Sequence, residues 1–356
     1  MTIDSQKKAL EELEEARGGT CVIAYLTSHR PGWEGQMSLD AVPVIYKHLR
    51  QISSAKSKTV IDLFIHSNGG DGTVPWRLVT LLREFCKELN VLVPHRAFSA
   101  ATLTALGADS VIMHPMGMLG PTDPSIISPY NPQNPFNPQQ YLPVSVEDVA
   151  SYLALVTDDV GIRHEDELIK AFIALTEKVH PLALGNVKRT TSQSRMLGDK
   201  LLRRRSTQQT KASIEEIMRK LNSELFSHGH PINAQEARED LGLDFVKEAD
   251  DKVAKAMWAL YEEFDTVLLQ EEPFNHLREA IAMNPLAVPI APVPGMMVAP
   301  SQATVTFDPL VHALVESRFR SDAFQSETEV VILRDHLGNY QSGQLQILSQ
   351  RWMQSR

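Results

Sequence analysis

The chain has 356 residues, enough for one large or two modest domains with a sizeable core. Its hydrophobic share of 43% and charged share of 22% are those of an ordinary soluble globular protein. A formal charge of -9 argues against nucleic acid as the main partner.

Two cysteines, Cys21 and Cys86, each lie in an apolar segment and read as buried free thiols of a reducing compartment. The N-terminus lacks the apolar core of a secretory signal, and no apolar run is long enough to span a bilayer. A cytoplasmic location is the expectation.

Asp4 to Arg17 reads as an amphipathic helix stopped by Gly18-Gly19, which sets residues 1–19 apart. TCVIAYLTS is an apolar, β-branched strand. After the polar loop HRPGWEGQ, the segment LDAVPVIYKHLRQI reads as a helix with Pro43 in its first turn. Ile61 opens a strand that ends in the turn Ser67-Asn68-Gly69-Gly70. Then come a helix (PWRLVTLLREFCKEL), a strand (NVLVPHRAFSA) reaching Ser99, a helix of small residues (SAATLTALGAD), a strand (SVIMHP) and the turn MGMLGPTDP.

Residues 124–143 are rich in Pro, Asn and Gln, and no packed element fits them. Such a loop reads either as a wall of a substrate groove or as surface without a role. Val144 to Leu155, His164 to Val179 and the stretch PLALGNVKRTTSQSRMLGDKLLRRR read as helices. The basic run Lys200 to Arg205 that ends the third reads as a solvated face. Ile214 to Leu225 has apolar residues at helical spacing. HGHPINAQEAREDLGLDFV reads as a turn, an Asn-capped helix and a glycine ending. Asp250 to Leu269 is a further helix with Trp258 and Phe264. Residues 20–270 read as one domain, 284–302 as a linker, and 303–356 as an appendage of a short helix and a hairpin about the HLGNY turn.

The order strand, glycine turn, helix, strand, serine, helix, strand carries the chemistry. It places a glycine pair and a hydroxyl at the carboxyl ends of neighbouring parallel strands, where open α/β sheets bind ligands. Acyl transfer needs a nucleophile, a base and donors for the tetrahedral oxyanion. Ser99 is the candidate nucleophile; amides of Gly69 or Gly70, with that of Ala100, are the candidate oxyanion donors. The plainer reading of Ser99 is a helix N-cap. Gly69, Gly70 and Gly72 do not spell GxGxxG, and there is no phosphate loop and no HExxH-like cluster, so neither cofactor nor metal is expected.

IDLFIHSNGGDG resembles the strand-plus-SPGG segment of the Clp-type and signal-peptide peptidase A-type serine peptidases, with Asn68 in place of proline. HRAFSAATLTALGAD resembles their nucleophile segment, and SVIMHPMGMLGPTDP the strand and Leu-Gly turn that follow. HGHPINAQEAREDLGLDFV is similar to their later helix-and-glycine segment. The resemblance is to the serine dehydrogenase proteinase branch and covers roughly residues 20 to 250. It implies an α/β Clp/crotonase-like fold of ββα units with a helical arm and a small C-terminal appendage. It also implies an ATP-independent serine peptidase acting on peptide or protein substrates, and a homo-oligomer.

The resemblance also frames the base. Clp-type enzymes would place a histidine near Gly120-Pro121-Thr122, where this chain has none; His114 lies earlier and reads as structural. Signal-peptide peptidase A-type enzymes use a lysine, which becomes a base when burial lowers its pKa. Of Lys170, Lys178, Lys188 and Lys200, Lys188 fits the family pattern best. Two alternatives stay open: a non-catalytic Clp-fold oligomeric scaffold, and a crotonase-type acyl-CoA hydratase or isomerase.

Overall fold

The computed structural model describes residues 3–55, 59–123, 127–207, 209–223, 229–283, 301–334 and 340–354. The chain groups into two compact units, one formed by Met1–Ser67 with Asp250–Arg356, the other by Asn68–Ala249. Among the described residues no helix is long and apolar enough to cross a membrane.

The first unit begins with helix α1 (Ile3–Ala16), strand β1 (Cys21–Thr27), helix α2 (Ala41–Ala55) and strand β2 (Thr59–His66). β1 and β2 run parallel, from Cys21 beside Ile61 to Leu26 beside His66. All seven residues of β1 are buried, which is why its sequence is continuously apolar rather than alternating. Asp62 breaks that pattern and is matched: Arg17 Nε donates to it at 2.8 Å and the Thr20 hydroxyl at 2.9 Å.

The second unit holds helix α3 (Val74–Phe85), strand β3 (Cys86–Val93), the short strand β4 (Arg96–Ala97), helix α4 (Ala100–Leu106), and strands β5 (Ser110–Met113) and β6 (Met118–Leu119). A small exposed hairpin follows, β7 (Gln133–Asn134) and β8 (Asn137–Tyr141), inside the stretch that reads as loop. Helices α5 (Val146–Ala154), α6 (Glu165–Lys178), α7 (Pro181–Leu202), α8 (Lys211–Ser223) and α9 (Ala234–Glu239) lead to strand β9 (Val246–Glu248). Within this unit β3, β5 and β9 are parallel neighbours in that order. Residues 86–89, read as the end of a helix, belong to β3. Cys86 is already extended, Leu89 is fully buried, and the Asp109 carboxylate takes the Leu89 N–H at 3.0 Å.

The chain then returns to the first unit with helices α10 (Asp251–Leu268) and α11 (His276–Met283) and strands β10 (Ser301–Thr306), β11 (Leu310–Ser317), β12 (Arg320–Arg334) and β13 (Tyr340–Gln354). Among the described residues, 303–354 contain no helix, where sequence reading expects one. β11 pairs antiparallel with β1, Ala24 beside Glu316, so this segment extends the unit's sheet instead of standing apart as an appendage. Its buried run from Ala313 to Ser317 explains the strand. The linker and the hairpin turn fall almost wholly on residues outside those described.

Candidate active site

Ser99 sits between β4 and α4, in the second unit, six residues past the carboxyl end of β3. Its backbone has φ 53 and ψ -112, one of two non-glycine residues with positive φ among those described. A conformation of this kind costs about 1–3 kcal/mol and persists only where the surroundings over-determine it. The N-cap reading fails: Ser99 occupies the N-cap position but its side chain caps nothing, and its hydroxyl has no hydrogen-bond partner among the described residues. The residue is half-buried, at the entrance to a helix whose seven residues are all buried.

The strained turn is held from behind by Thr102. Its hydroxyl lies 2.6 Å from the Ala97 carbonyl and 2.9 Å from the Gly120 carbonyl, and accepts from Gly120 N–H at 3.0 Å. This one buried side chain ties β4 to the turn after β6, beside the parallel pairing of Ala97 with Leu119. Sequence reading passes over it, because a threonine in a helix's first turn carries no signal of what lies beyond the helix. Ser194 of α7 adds a second tie, donating to the Thr122 carbonyl at 2.8 Å.

Gly69 lies against this turn. Its φ is +102, and a Cβ there would come 2.8 Å from Ser99 Cβ, 3.0 Å from the Phe98 carbonyl and 3.2 Å from the Ala100 nitrogen. Only glycine lets the two backbones meet so closely. Gly70 and Asn68 flank it on the exposed side. Ser99, Gly69 and Ala100 are thus brought together as the motif order suggests, with Ala100 N–H at the start of a helix, where developing negative charge is favoured.

The bases are placed differently. Lys188 lies on the exposed side of α7, and Lys170, Lys178 and Lys200 are exposed too. Lys170 pairs with Glu167 at 2.8 Å, and Lys200 lies over the Trp76 ring. Within a single chain none has the dry setting that would make an ammonium a base at neutral pH. Half-buried His114 accepts from Met116 N–H at 3.0 Å through Nδ1, and burial lowers its pKa. No histidine stands in the Gly120-Pro121-Thr122 turn, and the buried Thr122 Oγ1 has no hydrogen-bond partner among the described residues. Among those residues no cluster of three metal-ligating side chains occurs.

The site is thus a strained serine at a strand-to-helix turn with Gly69 packed against it. Residues 2–136, which contain Gly69, Gly70, Ser99 and Ala100 but not Lys188, match the family of ClpP-like SDH-type serine proteinases. The chain is also similar to two uncharacterized proteins of Methanocaldococcus jannaschii. One is 29% identical over 264 residues, 72% of this chain and 77% of the relative; the other is 34% identical over 128 residues, 33% and 41%. Among solved structures, ClpP1 from Listeria monocytogenes aligns with a TM-score of 0.33 and 14% identity, over 68% of this chain and 98% of that one. A membrane-bound stomatin-specific protease aligns with a TM-score of 0.26 and 17% identity, over 40% and 65%, so just under two thirds of that protein is spanned.

Proposed function

We propose that the protein is an ATP-independent serine peptidase in which Ser99 Oγ attacks a peptide carbonyl. The observation that carries this reading is the strained, uncapped Ser99 with Gly69 pressed against it. A hydroxyl that were only a helix cap would need neither the positive φ nor the close glycine. Amides of Gly69 or Gly70 and of Ala100 hold the tetrahedral oxyanion. The carbonyl bond reforms as the amine departs, leaving an acyl-Ser99 ester that water hydrolyses.

Lys188 is the proposed base, taking the Ser99 proton and returning it to the leaving amine. Because it is exposed in the single chain, the proposal carries a physical condition: a homo-oligomeric partner must cover this part of α7 and strip water from the ammonium. Apolar side chains exposed elsewhere on α6 and α7, Phe172 at 49% and Leu182 at 52%, add to the surface that association would bury.

A fluorophosphonate probe tests the reading. It is expected to label the protein at Ser99, with labelling and peptide hydrolysis both lost in Ser99→Ala. Lys188→Ala is expected to cut hydrolysis at least a hundredfold, on the scale of a lost general base. Unlabelled wild-type protein would leave the scaffold and crotonase readings, and full activity in Lys188→Ala would move the base elsewhere.

A further inference from the structure

The basic run at the end of α7 is not wholly a solvated face. Arg205 is only 5% exposed, and its guanidinium lies 3.5 Å from the centre of the Phe245 ring. It lines a cavity of 440 Å³ together with Lys87, Ser110, Ser206, Thr207 and Lys247, within the second unit. Lys87 and Ser110 stand at the starts of β3 and β5, and Phe245 just before β9. The cavity therefore opens at the amino ends of the strands, whereas Ser99 follows the carboxyl end of β3.

The hydrogen bonding inside it is incomplete. Arg205 Nε donates to the Ala108 carbonyl at 3.1 Å, but Nη1 has no hydrogen-bond partner among the described residues. Asp244 is 3.7 Å from Nη1, is largely exposed, and already accepts from Gln209 Nε2 at 3.2 Å. Asp109 is fully engaged: both Arg83 terminal nitrogens reach it at 3.2 Å, and the N–H groups of Leu89 and Ser206 at 3.0 and 2.8 Å. Burial lowers the Arg205 pKa, so the protein alone does not fully compensate this cation. With Asp109 matched by Arg83, the remaining groups (Lys87, Arg205 and Lys247 against Glu88 and Asp244) leave an excess of positive charge.

We propose that this cavity binds a small phosphate monoester, with Arg205 as the anchor for the phosphoryl oxygens and Lys87 and Lys247 on the rim. A planar guanidinium backed by an aromatic ring suits an oxyanion, and three hydroxyls around it suit a group with several acceptor oxygens. The volume lies in the range of organic-ligand sites and exceeds what inorganic phosphate would fill. The site is separate from Ser99 and does not depend on the peptidase reading.

Calorimetric titration and thermal unfolding with glycerol 3-phosphate and with sodium phosphate, at matched ionic strength, test it. Saturable binding is expected for both, tighter for the ester, and equal in wild type and Ser99→Ala. Arg205→Lys keeps the charge but loses the fork, and is expected to weaken binding about tenfold. Lys87→Glu with Lys247→Glu changes only exposed side chains, so it decides the matter even if Arg205→Lys does not fold; it too should weaken binding without lowering the ligand-free midpoint. No saturable binding of either probe, binding unchanged in the rim double variant, or inorganic phosphate tighter than the ester would each overturn the proposal.

Discussion

At Ser99 stability and chemistry pull in opposite directions. The positive φ is a conformation that glycine takes without penalty, while any side chain with a Cβ resists it. Ser99→Gly is therefore expected to remove the nucleophile and raise the thermal midpoint by about 2–4 °C, the shift that 1 kcal/mol gives in a unit of this size. A lower midpoint in that variant would mean the turn is not strained. Glu316 gives a second residue-scale expectation. It is 4% exposed and accepts from the Ser321 hydroxyl at 2.5 Å; burial pushes its carboxyl up to about 8, with Asp322 adding a smaller upward push. Its folded value lies above the unfolded one of 4.5, so the folded state holds the proton more tightly. The stability this contributes is complete below about pH 4.5 and is lost as pH rises through about 8. The thermal midpoint should fall between pH 6 and pH 9, and Glu316→Gln should flatten that fall; an unchanged slope would place the titration elsewhere. His48, whose pKa burial lowers, acts in the opposite sense: its contribution to stability grows as pH rises through the unfolded value of 6.5 and so opposes the start of this fall.

Among the elements, α6 stands out because none of its residues is buried, although Ile169, Phe172 and Ile173 recur at the spacing of one helix face. A helix of 14 residues is marginal in water without a packed face, so a covering surface accounts for its amphipathic pattern. Phe172→Glu with Ile173→Glu is expected to reduce the solution mass to that of one chain in light scattering, and to slow hydrolysis if assembly is what dries Lys188. An unchanged mass would put the contact on another face. The sequence discloses the glycine turn and the serine because each satisfies a demand on residue type, a missing Cβ in one case and a hydroxyl at a helix entrance in the other. It does not disclose the environment of a lysine, which depends on what packs over it. Arg205 is misread for the same reason: a run of arginines is usually solvated, and the ring that covers this one, Phe245, lies forty residues further on. Of the C-terminal strands, β12 and β13 pair antiparallel as the hairpin the sequence suggests, whereas β11 is missed because LVHALVES suits either period until its partner β1 is known.

On the scale of the whole molecule, the first unit is assembled from both ends of the chain, Met1–Ser67 and Asp250–Arg356, with the residues of the second running between them. Its sheet cannot be completed until the last strands exist. β11 supplies antiparallel partners for β1 from Ala24 to Thr27, and α2 is held by His48, which bonds to Ser317 at 2.8 Å and Asp322 at 3.0 Å. A small core of Trp33, Phe274 and Ala280 is closed by Val305 of β10, Phe307 just after it, and Val330 and Ile332 of β12. Removing residues 301–356 would bare one edge of β1, a strand with no polar face to offer water, and would open that core. Each lost buried aliphatic or aromatic residue removes roughly 1.5–3 kcal/mol of burial, and several together exceed the 5–15 kcal/mol that holds a typical domain folded. The shortened chain is accordingly expected to aggregate on size-exclusion chromatography and to show no cooperative thermal transition. A monodisperse truncated protein melting in one step near the full-length midpoint would show that the first unit closes without its C-terminal strands, and that the segment is an appendage after all.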